Sequence, residues 1–328
     1  MLRVGPLAID PPLLLAPMAA VTNPPMRTLC EEMGCGFTLT EFLPAHAVAR
    51  GIEKVVRNIA PGVAGRPFGV QIFGRLPEDM AGAAGIALAS GASLVDINMG
   101  CPAKRVVAGE CGSALMRTPE VAADLVMAVR EAMPPEIPVT VKMRAGWDEG
   151  HKNAPEFAAR MVEAGAAMIT VHGRTRTQGF SGRADWSVIR RVKQAVAVPV
   201  VGNGDVVDVE SMRAMIETAG CDGVMIGRGA MGNPWIFARL SAVLAGRPDP
   251  GPPSVAERHA TLRRHYALYL SWVDERRAVN EMRKHLGWYT RGLPRSADFR
   301  VRVQTLPSAE RALAEVDGYF GSLSAKAA

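Results

Sequence analysis

Eight short apolar runs, each followed by a stretch of helical periodicity, constrain this chain most. They begin at Leu13, Phe37, Phe68, Leu94, Val139, Met168, Val198 and Gly223, with successive starts 24, 31, 26, 45, 29, 30 and 25 residues apart. A strand, a helix and two loops occupy about 30 residues, so this is the spacing of βα units. The intervening segments carry helix signals. Thr118-Pro119-Glu120 is a cap, a first-turn proline and an acid, and Val121, Leu125, Val126 and Val129 then recur at helical spacing. Residues 155–163 and 209–217 read similarly and end near Gly165 and Gly220. Eight such units predict a (β/α)8 TIM barrel over residues 1–245. A doubly wound sheet is the alternative, but it concentrates function at one switch point, whereas here polar residues follow nearly every strand.

The pattern breaks at residues 246–254, where four prolines and two glycines cannot continue a helix and read as a linker. Beyond it, Ser254 to Glu257 forms a capping box, and apolar stripes predict a small helical domain over residues 255–328. Residues 246–328 hold 14 Lys+Arg against nine Asp+Glu, a surplus of five within the protein's net +6. Arg283, Lys284 and Arg291 lie there among Trp272, Trp288 and Tyr289. The alternatives are a solvated face of a helical bundle and a phosphate-backbone platform; segregation of the excess onto a small appended domain favours the platform, because solubility does not require it.

Five cysteines, an odd number with no CxxC, argue against a disulfide framework and a zinc site and favour a reduced, cytoplasmic setting. The segment over residues 13–19 resembles a signal-peptide core, but only Arg3 precedes it and Asp10-Pro11-Pro12 interrupts the apolar run, so it reads as a first buried strand. No run reaches the roughly 18 apolar residues of a membrane helix. No metal and no obligate protein partner are expected.

The strand ends carry the chemistry. The fourth run ends in Asn98-Met99-Gly100-Cys101-Pro102, which sets a thiol on a tight turn at a strand mouth. Ala16, Pro17 and Met18, Gln71, Lys142, His172, Asn203-Gly204-Asp205 and Gly227-Arg228 follow other strands, and in a barrel they converge on one mouth. Glycine-rich turns after strands seven and eight suit a phosphate. The GxGxxG match at Gly227 to Gly232 follows the last strand, with no βαβ unit left to hold a dinucleotide, so a mononucleotide phosphate is the expectation. A planar polar ring would engage Gln71, Lys142 and His172, and FMN satisfies both requirements. Cys101 then reads as a proton donor beside the flavin, since its loop offers no partner histidine.

Nine motifs in order, APMAAVTNPPMR, TEF, VQIFG, DINMGCPAKRVVAGECGSALM, VKMRAGW, VHGRTRTQGFSGRADW, GNGDV, MIGRGAMGNPW and RKHLGWYTRGLP, resemble the bacterial tRNA-dihydrouridine synthases, the B subgroup nearest. The resemblance spans roughly residues 5–320. It implies an FMN-bound barrel with a helical tRNA-binding tail that reduces the C5–C6 bond of selected uridines with NADPH. By motif it assigns Ala16, Pro17, Met18, Gln71, Lys142, Asn203, Gly204, Asp205, Gly227 and Arg228 to FMN, His172 to the flavin edge and Cys101 to proton donation. It assigns Asn98, Arg174 and Arg176 to the uridine and its approach. Cys111 departs from the small residue expected there; a packing substitution is the simpler reading, a regulatory disulfide with Cys101 the other. Rivals are an FMN barrel acting on a small molecule, of the dihydroorotate dehydrogenase or ene-reductase type, and an RNA-binding module without turnover. The basic tail counts against the first, and retention of Cys101, Lys142 and the glycine turns against the second.

Overall fold

The computed structural model describes residues 1–324. Its barrel strands are β1 Leu13–Leu15, β2 Phe37–Leu39, β3 Phe68–Phe73, β4 Leu94–Met99, β5 Val139–Arg144, β6 Ile169–His172, β7 Val200–Asn203 and β8 Gly223–Ile226. All pair in parallel, each with the next, and β8 returns to β1, as in Met225 opposite Leu14, which closes the ring. The principal helices following them are α1 Pro24–Glu32, α2 Ala45–Ala49, α3 Pro77–Ala89, α4 Pro119–Ala132, α5 Ala154–Glu163, α6 Trp186–Ala195, α7 Val209–Ala219 and α8 Ile236–Leu244. The fold is the expected (β/α)8 barrel. The long fourth interval holds a short helix, Lys104–Ala108, and a 3-10 turn, Gly112–Arg117, before α4. Among the described residues, no helix is long and apolar enough to cross a membrane.

Strand alternation sorts the side chains into two sets. Leu13, Leu15, Val70, Ile97, Val141, Val171 and Ile226 face the helices and join the main core. Leu14, Phe37, Leu39, Leu94, Val201 and Met225 face inward as an apolar floor. One level higher, polar residues replace them: Gln71, Asp96 and Thr140 stand in register on β3, β4 and β5. Above these, Asn98 and Lys142 pair in register, as do Arg144, His172 and Asn203. The inner face thus grades from oil to charge toward the carboxyl ends, where barrel enzymes hold their sites. A hairpin before the barrel, Leu2–Val4 with Leu7–Ile9, was not foreseen. Its Leu2, Val4 and Ile9 are buried against the floor residues and stopper the amino-terminal end.

The tail forms four helices, α9 Val255–Trp272, α10 Glu275–Tyr289, α11 Ser296–Val303 and α12 Ala309–Ser324. Ser254 and Glu257 make the anticipated capping box at the start of α9. The tail packs against the barrel side. Trp235, from the barrel side, sits in the tail's own core with Tyr266, Met282 and Tyr289. Arg264 pairs with Glu32 of α1 at 2.7 Å, and Asn23 donates to the Tyr269 hydroxyl at 2.5 Å. Gly232 has φ +65, and a Cβ there would lie 2.5 Å from the carbonyl carbon of Trp288. Gly232→Ala is therefore expected to cost roughly 2–4 kcal/mol through overpacking and left-handed strain. Thermal denaturation checks this, and an unchanged Tm would refute it.

Candidate functional site

The polar upper levels of the barrel open into a cavity of about 710 Å³ at the carboxyl ends of the strands. Ala16, Pro17 and Met18 of the β1 loop, Asn98 and Cys101 of β4 and its turn, Lys142, His172, Asn203-Gly204-Asp205 and Gly227-Arg228 all line it. Residues from six of the eight strands, spaced widely along the chain, thus meet at one opening.

A chain of hydrogen bonds aims the Cys101 turn from below. Asp96, wholly buried, accepts from the Thr140 hydroxyl at 2.5 Å and from the Gln71 amide at 2.6 Å. With its NH2 committed to Asp96, Gln71 presents its oxygen to Asn98, whose amide donates at 2.7 Å. The Asn98 oxygen in turn accepts the backbone N–H of Cys101 at 2.9 Å and of Gly100 at 3.2 Å. From the other side, the Ser113 hydroxyl and backbone N–H donate to the Cys101 carbonyl at 2.9 and 3.1 Å. The thiol is thus placed by its backbone. Burial raises its pKa above the ordinary thiol value, against the pull of the Ala103 backbone, Arg144 and Lys142, so it remains a protonated acid at neutral pH.

Beside that turn lie the cations of the neighbouring strand β5. Lys142 donates to the Asn203 oxygen at 3.0 Å, and Asn203 donates to the Met225 carbonyl at 2.8 Å. An ammonium has three hydrogens, and among the described residues Asn203 takes one. Burial draws Lys142 down to about 8, Arg144 adds to the shift, and Asp96 opposes it. Asp96 itself is pushed up to about 6 by burial, against its two hydrogen bonds and Lys142. His172 is held well below its usual value by burial and then by Lys142, Arg144, Arg174 and Arg228, so it presents a neutral imidazole. Gly204, at φ +119, packs against that ring: a Cβ there would come within 3.0 Å of His172 and 2.8 Å of Ala184. Asp205 bonds Arg174 at 2.7 Å and Arg228 at 3.2 Å, which fixes a guanidinium beside the two glycine turns.

These donors would suit a phosphate-bearing planar ring. A family profile described as Dihydrouridine synthase (Dus) matches residues 14–323. A probable tRNA-dihydrouridine synthase of Rhodobacter capsulatus is 44% identical over 308 residues, 94% of each chain. The tRNA-dihydrouridine synthase B of Xanthomonas axonopodis pv. citri is 40% identical over 324 residues, covering 99% of this chain and 97% of its own. This chain belongs to the dihydrouridine synthase family. Among solved structures, morphinone reductase aligns with a TM-score of 0.54 at 14% identity, over 77% of this chain and 90% of its own. Histamine dehydrogenase from Rhizobium sp. 4-9 aligns at 0.59 and 14%, over 81% and 50%. At such identity they show the barrel alone.

Not every residue singled out in this dihydrouridine synthase sequence reaches the cavity. Gln71 lies beneath it as the support of Asn98, because it sits one level lower on the inner face. Arg174 is buried in the wall, donating to the Ser181 and Gly182 carbonyls and to Asp205. Arg176 stacks on Trp147 at 4.5 Å. The tail trio divides. Arg291 stands exposed on the cavity's lining, whereas Arg283 turns toward the Leu306 carbonyl and Lys284 is half-buried near Glu281 and Glu41. Helical spacing accounts for this, since Met282, His285 and Leu286 face the tail core and draw their neighbours inward. All five cysteines are free thiols, and Cys111 donates to the Gly109 carbonyl at 3.0 Å.

Sequence reasoning passed over Asp96, whose signal was an acid on the inner phase of a buried strand. It also passed over Glu41, which accepts the backbone N–H of Ala20 at 2.8 Å and so holds the β1 loop in its positive-φ turn. Phe180, exposed on the rim within 6 Å of both Arg144 and Arg228, was the third omission; an apolar residue in a Gly/Ser/Arg loop was its signal.

Proposed function

We propose that this protein reduces the C5–C6 double bond of uridines in tRNA to dihydrouridine, using FMN with NADPH as the ultimate reductant. The observation that carries the reading is Cys101 and Lys142 facing one cavity, with Arg291 of the tail on its rim. Lys142, His172 and Asn203 would hold the flavin ring with Ala16, Pro17 and Met18 beside it. The backbones of Gly204, Asp205 and Gly227, with Arg228, would hold its phosphate. When bound, FMN supplies the hydride that reaches uracil C6. The uridine must leave its stack to enter, at a cost of a few kcal/mol. Cys101 delivers the proton to C5 from the face opposite the ring. Asn98 keeps one amide hydrogen for the uracil edge after its bond to Gln71.

The purified protein is expected to release FMN on heating or acid treatment. With NADPH it should add two mass units to a uridine in unmodified tRNA. Protein that neither carries nor takes up FMN would overturn the cofactor. Turnover of a small enone with none of tRNA would favour the small-molecule rival, against which Arg291 at the mouth already counts.

A further inference from the structure

The rim of the barrel carries a pair of guanidiniums outside the lining of the cavity. The Arg117 guanidinium lies 4.1 Å from the centroid of the Trp147 ring, and that of Arg176 lies 4.5 Å from the same ring. Arg117 closes the 3-10 turn after β4, Trp147 follows β5 and Arg176 follows β6. Three successive loops therefore meet in one stack. The stack is fastened: Arg176 N–H donates to Gly146 O at 2.9 Å, Thr177 N–H to Trp147 O at 3.1 Å, and Asn153 to Met116 O at 2.8 Å.

Among the described residues, neither guanidinium has a carboxylate partner. The acids of the Trp147 loop are engaged elsewhere, Asp148 with His151 at 2.7 Å and Glu149 with Lys152. Two like charges on one indole repel, and each cation–π contact offsets about 0.5–2 kcal/mol of that. An arriving anion would neutralise both. Planar forks already held against a ring also lose little freedom on binding a phosphate.

We propose that Arg117, Trp147 and Arg176 form a second RNA-backbone contact, a phosphodiester clamp on the side of the mouth away from the tail. In a ring of eight, β5 stands opposite β1, and the tail is seated beside α1 and the loop after β8. A tRNA presented to the cavity would be gripped by the tail and Arg291 on one side and by this stack on the other. Such a grip resists rotation about a single contact and fixes the register in which a uridine meets the opening. The inference rests on the reading of tRNA as substrate.

The experiment measures binding of unmodified tRNA to the flavin-loaded protein across a salt series. Arg117→Gln is expected to weaken binding and reduce the slope of log K against log salt by about one. Arg117→Gln with Arg176→Gln should reduce it by about two. The advantage of the unsubstituted protein over the double variant should then shrink roughly tenfold between 50 and 200 mM salt. Arg117→Lys keeps the charge and should retain the slope. That separates a phosphate contact from a structural role, which would leave the slope unmoved in all variants. Flavin content and Tm report the integrity of each variant. Unchanged slope and affinity in both Gln variants would overturn the clamp. Absence of salt-dependent tRNA binding by the unsubstituted protein would instead remove the substrate reading on which it rests.

Discussion

Cys101→Ala is expected to slow reoxidation of the reduced flavin by tRNA roughly 10²–10⁴-fold, the worth of one positioned acid, while flavin content and the rate of reduction by NADPH stay near those of the unsubstituted protein. The substitution is unusually clean. What shapes the turn is the Asn98 oxygen on the Cys101 N–H and Ser113 on the Cys101 carbonyl. Both involve the backbone and survive in alanine, so the variant removes the thiol and leaves its surroundings. Because burial holds that thiol above the ordinary value, its protonated form is the one present at neutral pH, as a donor requires. Stopped-flow comparison of the two half-reactions decides the matter, with Cys111→Ala as the control that should change little. Loss of NADPH-dependent reduction would move Cys101 into the cofactor's support. An unaltered rate with tRNA would mean that another group gives the proton.

Asp96→Asn is expected to lower the rate of tRNA reduction roughly 10²-fold, though Asp96 touches neither cavity nor substrate. An acceptor-only carboxylate forces Gln71 to turn its NH2 downward and its oxygen toward Asn98. An amide at position 96 can donate as well as accept, so the orientation passed up to the Cys101 turn is no longer unique. The charge matters separately. Asp96 sustains the protonated form of Lys142, which burial has drawn down to about 8. Removing a nearby negative charge makes the cation less stable, so the Lys142 pKa falls further and the alkaline limb of the activity profile moves to lower pH. Asp96→Glu would restore the charge in a mispositioned carboxylate. A pH profile of the tRNA half-reaction separates the two effects, and an alkaline limb that stays fixed in Asp96→Asn would disprove the coupling.

The barrel was legible because its signal is one-dimensional. Each β run is short, apolar and spaced by a helix, so the periodicity survives ignorance of every contact. The mouth was legible for the same reason: a strand's last residues point there whatever their partners. Depth was harder. Gln71 and Asn98 both lie in buried strands, yet the register sets one a level below the other, and register is not written in spacing. The amino-terminal hairpin escaped because its two strands, Leu2–Val4 and Leu7–Ile9, are too short to show alternation. Among the tail's bases a helix face, rather than composition, decides exposure: Arg283 is adjacent to Met282 and is drawn in with it, whereas Arg291 lies past the end of its helix.

The hairpin has a consequence for traffic. Among the described residues, Leu2, Val4 and Ile9 cover the floor, which leaves the carboxyl-end mouth as the doorway to the cavity. On the proposed reaction, a donor of electrons and a macromolecule as large as tRNA would share that doorway. They would queue, and the protein would keep what the first visitor leaves until the second arrives. A tightly bound intermediary held in the room, rather than two visitors brought face to face, would suit such a floor plan.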